Sequence, residues 1–288
     1  MSMNPTMTTE IDGANEQFFS AAENGHLEAM IAQLSESGDP SGMLAYVDRC
    51  HMTPLMAAIH ESKWSAAYLM LSHVGSNTVL DRMLGMVAPA GWIPKRYSPD
   101  AMPMSALMYA VESEHQQQEM VRILLNDGRV DMAKLLSQVD EVGMTAFMKA
   151  SQQCDVDLMR LLLEHPNALS SASASLAARD YEGNTPLMIV AATFQGYHAY
   201  TIEHQCKACK AMAFLLRRKD LFPTDLQVQD LRDLKAVIKW MRPVLEWDDP
   251  VECRDECVRL LINLGAPFMP PVVTRLYAEE LKAEELKA

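Results

Sequence analysis

Residues 180–188 read Asp180–Tyr181–Glu182–Gly183–Asn184–Thr185–Pro186–Leu187–Met188. Three earlier stretches follow the same pattern: Asp48 to Met56, Asp100 to Met108, and Asp140 to Met148. Each opens on Asp, carries Thr or Ser five positions on, and continues with Pro or Ala, then Leu or Phe, then Met. The hydroxyl residue has the chemistry of a helix N-cap, since its oxygen can accept a backbone N–H of the first turn. Pro suits the first helical position because its missing N–H has no partner there anyway. Gly143 and Gly183 sit where a tight turn needs positive φ. The motif therefore predicts a turn that launches a helix, four times over.

Working outward, an apolar run follows each hydroxyl residue: 68–71, 120–125, 158–163 and 212–216. The hydroxyl residues Thr53, Ser105, Thr145 and Thr185 are spaced by 52, 40 and 40 positions. Each unit predicts two short helices joined by a turn and followed by a loop. An earlier copy lacks the hydroxyl but keeps both helical runs, 18–27 and 29–34, and a partial copy lies at 257–266. One such pair cannot bury its apolar faces alone, whereas stacked neighbours can.

The Asp-x-x-Gly-x-Thr-Pro-Leu stretch at 180–187, the Gly143-x-Thr145 variant, Thr53–Pro54–Leu55 and the 21–26 segment resemble the ankyrin repeat family. The resemblance implies an all-α fold, an ankyrin-repeat solenoid of stacked helix-turn-helix units with insertions and a divergent C-terminal end. The expected organisation is a disordered N-terminus at 1–13, five to six repeats over 14–268, and a C-terminal helical cap or tail at 269–288. Insertions are expected near 75–99, 194–205 and 220–250. The family usually has His after the Leu, but here the position is Met56, Met108, Met148 and Met188, which predicts apolar packing between successive inner helices.

Composition narrows the function. The chain has 288 residues, 49% apolar and 22% charged, with a formal charge of −13. An acidic chain without a long basic run lacks the electrostatic footprint of a nucleic-acid binder. No apolar stretch reaches the length of a membrane span. Residues 1–13 show neither a basic nor an apolar leader pattern, so a cytoplasmic protein with reduced thiols is expected. A glycine-rich phosphate loop and a nucleophile elbow are both missing from the sequence, so no enzyme and no cofactor are expected.

The resemblance also implies where binding sits, on loop tips and the exposed ends of inner helices. Its candidate residues here are Arg49, Met52, Glu61, Met102, Met104, Glu112, Glu141, Met144, Gln152, Tyr181, Glu182 and Asn184. Regular stacking would align Met52, Met104 and Met144 in one exposed row flanked by carboxylates. Such a row suits a partner protein with basic and apolar contact residues. Trp92 and Tyr197, in the insertions, offer a second route in which the chain docks into a larger complex; Trp92 folding back onto the stack is the competing reading. Finally, His204-x-Cys206-x-x-Cys209 and Cys253-x-x-x-Cys257 have spacings that zinc could use to staple the C-terminal end, although buried structural Cys accounts for them as well.

Overall fold

In a computed structural model, the described residues are 5–85, 104–113, 117–193, 202–218, 257 and 259–260. Among them the regular structure is helical throughout, with no strand. Five inner helices recur along the chain: α1 (Pro5–Asn24), α4 (Pro54–His60), α7 (Ala106–Glu112), α10 (Ala146–Gln152) and α13 (Pro186–Ala192). Each is followed by an outer helix: α2 (Leu27–Glu36), α5 (Trp64–His73), α8 (Gln117–Asn126), α11 (Val156–Glu164) and α14 (Ile202–Leu216). Helix α1 starts at Pro5, so residues 5–13, expected to be disordered, are helical. The expected insertion at 220–250 and the expected cap or tail at 269–288 lie outside the described residues.

The motif does locally what its chemistry predicts. Thr53, Ser105, Thr145 and Thr185 each accept the backbone N–H of the Met three positions on, at 3.3, 3.3, 3.2 and 3.4 Å. In two copies the cap is reciprocal. The thioether sulfurs of Met56 and Met148 each accept the N–H of the capping Thr at 3.5 Å. A capping box normally uses Glu or Gln for this return bond. Here the weak sulfur acceptor takes it in a dry site, because Met56 and Met148 are fully buried.

Helices α4 and α7 are buried on every side because neighbours cover them. In α4 every residue from Pro54 to Ile59 is buried, and in α7 every residue from Ala106 to Val111. A helix with no polar face stays soluble only between two layers. Helix α4 accordingly packs on α1 and α7 to either side and on its own partner α5. Leu55, Leu107 and Phe147 occupy the same position in successive copies and are all buried.

A third column of short helices was not expected. After the first four outer helices come, in order, α3 (Ser41–Leu44), α6 (Asn77–Leu84), α9 (Met132–Ser137), and the 3-10 turn Leu169–Ser171 running into α12 (Ala172–Ala177). Ser76 and Asp131 cap α6 and α9 by accepting the N–H of Val79 and Lys134. Both helices bury an i, i+3, i+4 triple: Leu80, Met83 and Leu84 in one, Met132, Leu135 and Leu136 in the other. These helices absorb the residues by which a spacing of 40 exceeds the usual period of about 33. They also correct the insertion expected at 75–99: residues 77–84 belong to the packed stack, and 86–99, with Trp92, lie outside the described residues.

The contacts divide the chain into two units. One holds the described residues up to Lys149 together with Arg160–Ser175; the other holds Ala150–Met159 and the described residues from Leu176 onward.

Three of the inner-to-outer connections share one geometry. The N–H groups of His26, Lys63 and Asp155 donate back to Ala21, Ala58 and Ala150 carbonyls at 2.8, 2.7 and 3.2 Å, and those of Gly25, Ser62 and Cys154 close the inner ring. This is the Schellman pattern, which requires a left-handed residue. That residue is Gly25 in the first copy but Ser62 (φ 56°) and Cys154 (φ 54°) in two others.

Candidate functional site

In three of the motifs the Asp builds a turn whose tip carries exposed residues. Asp48, Asp140 and Asp180 each receive, on one carboxylate oxygen, the N–H of the residue four positions on, at 2.7, 2.8 and 2.7 Å. The backbone N–H of each Asp donates to the carbonyl of that same residue at 3.0–3.1 Å. The left-handed corner is His51 (φ 62°), Gly143 (φ 86°) or Gly183 (φ 87°). Holding an L-residue there costs about 1 kcal/mol or more. Replacing His51 by Gly is therefore expected to raise stability by about 1 kcal/mol, measured by chemical denaturation; a loss would mean that the imidazole makes a stabilising contact.

This turn decides which candidates face solvent. Arg49, Tyr181 and Glu182 are exposed at the tips, and Glu141 is half-buried beside exposed Val142. The expected Met row is corrected. Met104 and Met144 are only 8% exposed, and Met52 is half-buried. The reason is visible at Met52 and Met144: both the N–H and the carbonyl bond the turn Asp, which fixes the residue as the last rung before the cap. Asn184 at the same position is half-buried, and its amide donates to Asp180 Oδ2 at 2.9 Å, so it locks the turn. Met102 lies outside the described residues. At the inner-helix ends Glu61, Glu112 and Gln152 are exposed.

Two features here were not foreseen. The first is Lys149, at 7% exposure among the most buried charges of the protein. Its ammonium lies 2.8 Å from Asp140 Oδ2 and 2.7 Å from Glu112 Oε1. Burial works against its charge, but the bonds to Asp140 and then Glu112 outweigh it and leave its pKa above the ordinary lysine range. Lys149 thus ties the turn of one motif to the inner-helix end of the previous one. A lysine directly after Met148 gave no sign of this in sequence, because charged residues near helix ends are usually solvated.

The second is Tyr109. Its ring meets His60 edge-on at 5.6 Å between centroids, and His60 Nδ1 lies 2.9 Å from Glu61 Oε1. Burial, followed by the charges of Glu112, Asp48 and Cys50, pushes the Tyr109 phenol up to about 12. Glu141 is likewise raised, by burial first and then by Asp140. Because the fold holds the phenol protonated, the associated stability is complete below the ordinary tyrosine pKa of about 10 and falls as pH rises towards 12. An ultraviolet titration of phenolate absorbance should show a tyrosine that ionises near 12, and Tyr109→Phe should remove that step.

The zinc set is only partly within the described residues. Cys209 is buried and Cys206 half-buried on α14, and the Cys257 thiol donates to the Cys209 carbonyl at 3.0 Å. Cys253 and the His204 side chain lie outside the described residues, as does Tyr197. Among the described residues no cluster of three or more His, Cys, Asp or Glu could hold a metal ion, and no helix is long and apolar enough to cross a membrane.

Comparison with known proteins follows the same line. The family model described as ankyrin repeats (3 copies) matches residues 107–202. Residues 107–202 are ankyrin repeats. The ankyrin fold extends beyond them: an ankyrin repeat domain from Acinetobacter baumannii AYE, known from a crystal structure, superposes with a TM-score of 0.54 at 16% identity, covering 86% of this chain and 97% of that one. No curated protein matches the chain in sequence. Ankyrin repeats generally mediate protein–protein contacts and are generally non-catalytic.

Proposed function

We propose that this chain is a cytoplasmic adaptor or scaffold that binds a partner protein through its ankyrin turn tips and inner-helix ends. The observation that carries the reading is the recurrence of one hydrogen-bonded turn. The same Asp-centred bonds hold the tips at 48–52, 140–144 and 180–184, yet the exposed residues differ from copy to copy: Arg49 and Cys50, then Val142, then Tyr181 and Glu182. A hydrogen-bonded turn that recurs and varies only in what it displays is the arrangement recognition needs. Val142 at 47% and Tyr181 at 52% exposure supply apolar contact, and Glu61, Glu141 and Glu182 supply negative charge. A partner with basic and apolar contact residues fits both, and the field of a chain carrying −13 steers it.

The test compares wild type with Glu61→Lys, Glu141→Lys and Val142→Asp combined. All three positions are at or near the surface, and none of their side chains bonds Lys149, so circular dichroism should be unchanged. Partners captured from cell extract by the wild type should bind the variant at least about tenfold more weakly, and wild-type affinity should fall with added salt. An identical partner set and affinity would move the site to the insertions and favour an assembly subunit.

A further inference from the structure

A pocket of about 520 Å³ opens within the first unit, where α1, the short helix α3 and α6 come together. Small-molecule sites usually fall between about 300 and 1,000 Å³. The pocket lies in the third column of helices and shares no residue with the turn tips or inner-helix ends already described.

Its lining divides by chemistry. Tyr46 and Val79 give an apolar wall; Asn15, Ser41 and Thr78 bring amide and hydroxyl groups; Arg82 brings a guanidinium. The wall is held in place. The Tyr46 ring packs edge-on against Phe19 at 6.1 Å, and α6 is anchored by buried Leu80, Met83 and Leu84.

Arg82 has no hydrogen-bond or ion-pair partner among the described residues. Its neighbour Asp81 is held by Lys134 at 3.0 Å. Asp39, close to the rim, accepts the Ser41 N–H at 3.0 Å. The first turn of α6, which contributes Thr78, adds partial positive charge of the same sign. In a chain this acidic, a guanidinium without a carboxylate beside a cavity is a group whose partner comes from outside. Its planar fork matches a carboxylate in two-point geometry.

We propose that this pocket binds a small organic carboxylate with an apolar body, the carboxylate on Arg82 and the body against Tyr46 and Val79. The hydroxyl and amide groups of Ser41, Thr78 and Asn15 orient the polar end. The lining gives no second cation, so a dianion such as phosphate gains little there.

The experiment is calorimetric titration of the full chain with N-acetylphenylalanine, its carboxamide and inorganic phosphate. The free acid should bind at least about tenfold more tightly than either of the others, as loss of a charged bidentate contact implies. Arg82→Gln should weaken the acid at least about tenfold, Arg82→Lys by less, and Arg122→Gln on α8 should leave it unchanged. Because Arg82 is exposed, these variants keep their helical circular dichroism. A pentapeptide ending in Phe separates the sources of the carboxylate. Tighter binding than the single residue identifies a chain terminus, and equal or weaker binding identifies a free small acid. The proposal is overturned if no probe binds, if acid and carboxamide bind alike, if phosphate matches the acid, or if Arg82→Gln binds as wild type does.

Discussion

Replacing Lys149 by Met is expected to lower the unfolding free energy by about 3 kcal/mol, the largest effect of any single substitution outside the apolar core. The substitution keeps the volume and the helix propensity and removes only the ammonium. What remains is Asp140, whose side chain is 6% exposed, with Oδ2 no longer facing a cation. Its other oxygen still accepts the N–H groups of Val142 and Met144, so the carboxylate cannot turn away without dismantling the turn. An uncompensated buried charge accounts for most of the loss, so adding Asp140→Asn to Lys149→Met should recover about half of it. Denaturant titrations of the two singles and the double give the coupling directly. A loss below about 1 kcal/mol for Lys149→Met would place the Asp140 carboxylate in contact with water. The raised pKa of Lys149 sets the pH window: its contribution is complete below the ordinary lysine value and disappears as pH climbs through the higher folded value.

Arg129→Ala is expected to cost about 2 kcal/mol, a sum over several charge-assisted bonds discounted for partial exposure. Arg129 holds Asp127 with Nε at 2.9 Å and Nη2 at 2.6 Å. The same guanidinium donates to the Val74 carbonyl at 2.9 Å and the Leu71 carbonyl at 3.1 Å. Those carbonyls lie at the end of α5, where helical partners run out. One side chain therefore closes an outer helix from more than fifty residues away and is itself fixed by Asp127, whose carboxyl this bonding lowers. Arg129→Lys should recover less than half of the stability, because an ammonium cannot span four acceptors in one plane. Full rescue by Lys would show that charge alone matters at this site.

These two residues mark the limit of what sequence could reveal. The repeated hydroxyl caps, the Asp turns and the buried Met56, Met108 and Met148 were legible because each depends on a local pattern with one chemical meaning. Lys149 and Arg129 were not, because what each ties together includes a partner 37 or 55 residues away, Glu112 and the Val74 carbonyl, and no short-range pattern announces these. The third column was legible in principle. Ser76 and Asp131 are cap residues, and Leu80–Met83–Leu84 and Met132–Leu135–Leu136 have helical spacing. The resemblance supplies only two helices and a loop per unit, so the sequence reading assigns this stretch to loop. The exposed Met row failed for a geometric reason. At Met52 and Met144 the N–H and carbonyl both bond the turn Asp, which holds the residue one step before an N-cap at the edge of the core; Met144 sits inside it, and Met104 is equally buried.

The sulfur caps have a chemical consequence. Oxidation to the sulfoxide turns a soft apolar sulfur into a polar S=O. At Met56 and Met148 the sulfur is sealed from solvent and engaged with a backbone N–H, so an oxidant reaches it only while its own repeat is open. Met188, half-buried at the same position, lacks that protection. Oxidation of Met56 and Met148 is thus metered by the opening of their own repeats, whereas Met188 is open to oxidant in the folded chain.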